Sequence, residues 1–106
     1  MTNHIIDELF DVIKDRKGTD PESSYVASLY AKGTEKIAEK VGEESIETII
    51  EAIKGDQEKL TSESADLLFH LMVLWADQGL EPSDIMNVLQ ARLGTSGHDE
   101  KASRSN

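Results

Sequence analysis

The stretch KGTEKIAEKVGEESIETIIEAIKGDQEKLTSESADLLFHLMVL, residues 32–74, decides how this chain folds. Its acids read Glu43-Glu44-x-x-Glu47 and then, after an apolar turn and a loop, Glu63-x-x-Asp66. Each half lies in a strongly helical segment. Residues three or four apart share a helix face, so Glu44 with Glu47, and Glu63 with Asp66, each form a two-carboxylate claw. Two such claws on facing antiparallel helices make a cage of four carboxylates, and hard divalent cations take oxygen cages of that kind.

The two claws sit in different surroundings. On a helical wheel the first half is expected to bury Ile37, Val41, Ile46, Ile49, Ile50 and Ile53. Glu43, Glu44 and Glu47 are expected on the opposite arc with Lys36, Lys40, Glu51 and Lys54, where a solvated charged face is explanation enough. In the second half, Leu67, Leu68, Phe69, Leu71, Met72, Val73, Leu74 and Trp75 surround nearly the whole helix, which should therefore be buried. Glu63, Asp66, His70 and Asp77 nevertheless fall on one narrow stripe of it. Acids are rarely buried unless paired or bound to metal. The stripe needs a partner: a cation shared with the first helix, or a structural ion pair or cap.

Working outward, Thr34 is expected to cap the first long helix and Gly55 to end it. Gly42 inside it costs about 1 kcal/mol relative to Ala, which points to a close approach there by a ligand or a packed helix. Asp56 or Thr61 opens the next helix, and Gly79 closes it. Upstream, Ile5, Ile6, Leu9, Phe10, Val12 and Ile13 recur at helical spacing, with Thr2 or Asn3 as N-cap. The helix stops at the breaker Arg16–Pro21, and Ser23 or Ser24 caps a short helix through Tyr30. Downstream, Pro82 suits the first turn of a last helix whose apolar face is Ile85, Met86, Val88, Leu89 and Leu93. Residues 94–106 are almost devoid of apolar side chains and read as a disordered tail. No strand-type alternation occurs. The expected architecture is all-α, a bundle of four or five helices over residues 1–93 with the acid-bearing helices as its antiparallel central pair.

At 106 residues and 38% hydrophobic content, the chain is one small domain with a modest core, so a second copy is a natural way to bury its remaining apolar faces. A formal net charge of −10 argues against nucleic acid and against an anionic membrane surface. The absence of cysteine excludes disulfides and thiolate chemistry, and no signal-peptide pattern or membrane-length apolar run appears, so a cytoplasmic protein is expected. Lys32, Lys36 and Lys40, four apart, are either surface lysines paired along the helix or point charges for phosphate. His70 reads as a hydrogen-bonding core histidine ahead of a ligand or base, and Phe69 and Trp75 as core or interface. No glycine-rich phosphate loop or dinucleotide fingerprint is present.

The acid pattern resembles that of the all-α, MazG-type nucleoside triphosphate pyrophosphohydrolases. Within them, Ser24-Tyr25-Val26-x-x-Leu29, Lys32-Gly33, Lys36-Ile37, Lys40-Val41-Gly42-Glu43-Glu44 and Ala65-Asp66-Leu67-Leu68-Phe69-His70-Leu71 resemble the phosphoribosyl-ATP pyrophosphohydrolases of histidine biosynthesis. The likeness spans about residues 5–93. Val26 stands where that family often has Thr, and Phe69 where it often has Tyr. The resemblance implies Mg²⁺, or Mn²⁺, held by Glu44, Glu47, Glu63 and Asp66. It implies hydrolysis of phosphoribosyl-ATP to phosphoribosyl-AMP and pyrophosphate, with Glu43 orienting water or completing an outer shell and Lys32 and Lys40 on the substrate's phosphates. It also implies a homodimer. Two other readings stand beside it: a related hydrolase of other, including aberrant, nucleoside triphosphates, and a non-enzymatic helical interaction module.

Overall fold

A computed structural model describes residues 4–93, which form five helices: α1 (Ile5–Asp15), α2 (Tyr25–Lys32), α3 (Thr34–Lys54), α4 (Gln57–Asp77) and α5 (Pro82–Arg92). No strand occurs among the described residues. The expected tail and the cap candidates Thr2 and Asn3 lie outside them. His4 caps α1 instead, its Nδ1 accepting the Ile6 N–H at 3.2 Å. Ser24 caps α2 by accepting the Ala27 N–H at 3.1 Å. Of the two expected openings of α4 the chain uses Asp56, whose side chain accepts the Lys59 N–H at 3.0 Å.

Gly33 both closes α2 and opens α3. Its N–H donates to the carbonyls of Leu29 and Tyr30, and its own carbonyl accepts from Lys36 and Ile37. The φ of +98° that permits this is one that a residue with a Cβ rarely adopts. Thr34 is therefore not the cap. Its hydroxyl donates across to Asp77 Oδ2 at 2.6 Å, pinning the start of α3 to the end of α4. The opposite end of this antiparallel pair is closed by only Gly55 and Asp56.

The core is gathered at the pinned end. It consists of Phe10 and Ile13 from α1, Val26, Ala27 and Leu29 from α2, Ile37 from α3, and Met72, Val73 and Ala76 from α4. Each large side chain buried there contributes about 1.5–3 kcal/mol. Past it, Ile46 and Ile53 are 60% and 81% exposed, and Ile49, Ile50 and Leu68 also face outward.

This corrects the expected inner face of α3. At about 100° per residue, Ile46 lies half a turn round from Ile37, whereas Glu44 lies almost directly above Ile37. Sorting by hydrophobicity joined two opposite faces into one. Nor is α4 buried all round, since Leu67, Leu71, Leu74 and Trp75 are only half-buried. Gly42 is exposed, and a Cβ there would meet nothing within 4 Å, so it serves no close helix packing within the single chain.

Candidate metal centre

Seven residues past Ile37, the inward stripe of α3 changes from apolar to acidic. Glu44 is 8% exposed and turned toward α4, not out to solvent as the wheel reading had it. Across from it, Glu63 is half-buried and Asp66 exposed. One carboxylate oxygen from each of Glu44, Glu63 and Asp66 can be chosen so that all three lie within 4.8 Å of one another. The structure thus brings together the whole α4 claw and half of the α3 claw. Glu47 is exposed and neighbours Glu63, but it lies outside this group of three.

The electrostatics of the cluster are unfavourable in the chain by itself. Glu44 Oε1 and Glu63 Oε1 are shielded from solvent and meet no hydrogen-bond donor. Withdrawal from water pushes the Glu63 carboxyl up to about 7, reinforced by the neighbouring carboxylates of Glu44 and Glu47. Glu43 stands outside the cluster, exposed, with Lys40 Nζ 3.2 Å from its carboxylate. That hydrogen bond holds the Lys40 ammonium above its ordinary pKa, helped by Tyr25 and by the charges of Glu43 and Glu44 and opposed by partial burial. Lys32 is exposed at the end of α2.

Two site features escaped the sequence. Glu51, assigned to the outer arc, has a side chain only 14% exposed, and its Oε1 is buried without a hydrogen bond, Lys54 standing off at 3.9 Å. Its spacing of seven from Glu44 is the signal that could have found it. Tyr25 is the other. Its hydroxyl lies 2.8 Å from Nε2 of the buried His70, 45 positions away in the chain, and no local pattern announces that contact. His70 is a hydrogen-bonded core histidine, as expected. Asp77, the last member of the α4 stripe, is occupied by Thr34 and by the side-chain amide of Gln78 at 2.9 Å.

These donors fit a hard divalent cation. They are all carboxylate oxygens, they converge from two rigid helices, and two of their buried oxygens lack any other partner. A cation bound there would add positive charge to that of Lys40, the ammonium on which Glu43 and Glu44 act.

Comparison with known proteins covers the same stretch of chain. The family model described as phosphoribosyl-ATP pyrophosphohydrolase matches residues 6–93. A protein of Azospirillum brasilense named phosphoribosyl-ATP pyrophosphatase is 57% identical over 100 residues, covering 94% of this chain and 90% of the relative. Proteins of the same name from Paramagnetospirillum magneticum and Geobacter sulfurreducens are 54% and 52% identical, with 95% of this chain covered in both and 93% and 94% of the relatives. With its helices, its acid pair of helices and nearly its whole length accounted for, the chain belongs to the phosphoribosyl-ATP pyrophosphohydrolase family.

Proposed function

We propose that this chain hydrolyses phosphoribosyl-ATP to phosphoribosyl-AMP and pyrophosphate, the second step of histidine biosynthesis, with Mg²⁺ or Mn²⁺ held by Glu44, Glu47, Glu63 and Asp66. The observation that carries the reading is the pair of shielded, partnerless oxygens on Glu44 and Glu63 in a member of this family. When bound, the cation supplies neutralising charge for the triphosphate and lowers the pKa of nearby water. The bond broken is the α–β anhydride. Water bonds through its oxygen to the α-phosphorus and gives up a proton to solvent, and pyrophosphate leaves with the bridging oxygen and the electron pair of the broken bond. Lys40, ion-paired with Glu43, and Lys32, exposed at the end of α2, are assigned to offset the repulsion that a protein of net charge −10 exerts on a polyphosphate. Glu43 works from the outer shell, steadying Lys40 through their 3.2 Å ion pair.

The proposed working form is a homodimer, supported by the outward-facing Ile46, Ile49, Ile50 and Ile53 along one side of α3. Cytoplasmic action, without nucleic-acid or anionic membrane partners, is proposed on the acidic net charge of −10; no described helix is long and apolar enough to cross a membrane.

The test is a phosphate-release assay, coupled to pyrophosphatase, on phosphoribosyl-ATP against a panel of ordinary nucleoside triphosphates. Strong preference for phosphoribosyl-ATP and loss of turnover in excess chelator are expected. Equal turnover of the panel would point to the broader hydrolase, and full activity in chelator would remove the cation.

A further inference from the structure

His70 is 6% exposed and lies one turn beyond Asp66 on α4. Its Nδ1 is 2.8 Å from the backbone carbonyl of Asp66. A carbonyl only accepts, so Nδ1 carries the proton. In the neutral ring Nε2 is then an acceptor, and the Tyr25 hydroxyl 2.8 Å away donates to it. The imidazole stands edge-on to the rings of Tyr25 and Phe69, at centroid distances of 5.8 and 5.2 Å, while those two rings lie nearly parallel at 6.3 Å. Both nitrogens are engaged and the ring is clamped, so His70 serves as a link.

What it links is informative. Asp66 and Glu63 sit beyond the part of α4 that the core holds, opposite Glu44, and the carboxylates there repel one another. Tyr25 is the first residue of α2, and α2 is joined to α3 through Gly33 alone. The path from Tyr25 through His70 to the Asp66 carbonyl therefore ties the acid-bearing turn of α4 to the same unit that carries Glu44.

We propose that Tyr25 and His70 are positioning residues for the cation site, a hydrogen-bonded strut that holds Asp66 and Glu63 in place against Glu44. The proposal rests on reading the acid cluster as a cation site. Tyr25 is 52% exposed, so removing its hydroxyl disturbs little packing.

The experiment is a calorimetric titration with Mn²⁺, paired with the thermal midpoint of the metal-free protein. Tyr25→Phe should weaken Mn²⁺ binding by about tenfold, the lower range for groups that orient metal ligands, while lowering the metal-free midpoint by no more than about 5 °C. His70→Asn keeps a donor near the Asp66 carbonyl but loses Tyr25, and His70→Gln reaches toward Tyr25 but loses the carbonyl. Each should weaken binding similarly, because a strut cut at either joint fails. Tyr25→Phe combined with His70→Asn should bind no more weakly than His70→Asn alone, since both cut one path. If the His70 variants do not fold, Tyr25→Phe decides the matter. Mn²⁺ affinity within twofold of the parent in Tyr25→Phe, in a protein whose Glu63→Gln variant no longer binds, would overturn the strut alone. A parent protein that takes up no Mn²⁺ would overturn the site and the strut together.

Discussion

The two ends of the α3–α4 pair are built on opposite principles. At the end where Thr34 meets Asp77, facing positions are apolar: Ile37 lies against the layer that holds Met72, Val73 and Ala76, and α1 and α2 close over it. At the other end the same stripes carry Glu44, Glu51, Glu63 and Asp66, while the isoleucines of α3 point away from α4. One end gains stability by excluding water. The other holds like charges together and loses stability to do so. The difference teaches that helix direction and spacing are set at the packed end, which leaves the acidic end free to be arranged for chemistry.

The comparison is broken most severely by neutralising the acids. Glu63→Gln and Asp66→Asn should each lower turnover by on the order of a hundredfold or more, the loss that follows from several kcal/mol of metal-borne stabilisation. The loss should be larger for Asp66→Asn, whose short side chain leaves little freedom to substitute another ligand. The metal-free thermal midpoint should stay level or rise, because a repelling charge has gone. A fall in midpoint with activity retained would make these acids structural.

The packed end should respond the other way. Ile37→Ala removes a fully buried side chain and should cost about 2–5 kcal/mol in denaturant unfolding, with Mn²⁺ affinity retained in the protein that remains folded. Ile50→Asp with Ile53→Asp should leave the packed end intact and turn a dimer into a monomer by light scattering. A parent protein that is already a compact monomer at micromolar concentration would refute the dimer.

The smallest effect sharpens the comparison through pH. The Glu63 carboxyl is raised from 4.5 to about 7 in the folded protein. Between those values the native state keeps a proton that the unfolded chain has released, so metal-free stability falls as pH rises through that window. The metal-free midpoint should therefore be higher at pH 6 than at pH 8. Glu63→Gln should flatten that slope, and saturating Mg²⁺, which favours the ionised carboxylates, should reverse it. An unchanged slope in Glu63→Gln would place the raised carboxyl elsewhere.

Much of this was legible from local chemistry. Ser24, Asp56 and Pro82 mark helix starts because a cap needs only its own neighbours, and the i,i+3 spacing of Glu63 and Asp66 suffices to make a claw. Hydrophobicity alone gives the wrong phase for α3, because the hydrophobic side chains do not define its inner face. In a chain that leaves one apolar ridge to the outside, Glu44 and Glu51 follow Ile37 by heptad spacing and Ile46 does not. Thr34 has the chemistry of a cap, but Gly33, with its left-handed φ, takes that place. The contact of Tyr25 with His70 depends on how α2 settles against α4, and long-range docking leaves no trace in spacing.

The two-residue link between α3 and α4 has a kinetic consequence. Glu44 and Asp66 are only 22 positions apart in the chain, so the whole acid cluster belongs to one local hairpin. Closing so short a connection costs little chain entropy, and contacts of low sequence separation form early. What opposes closure is the mutual repulsion of the carboxylates themselves. Divalent ions present during refolding should therefore speed the pairing of α3 with α4 as well as stabilise the finished protein, a difference readable in refolding rates with and without Mg²⁺.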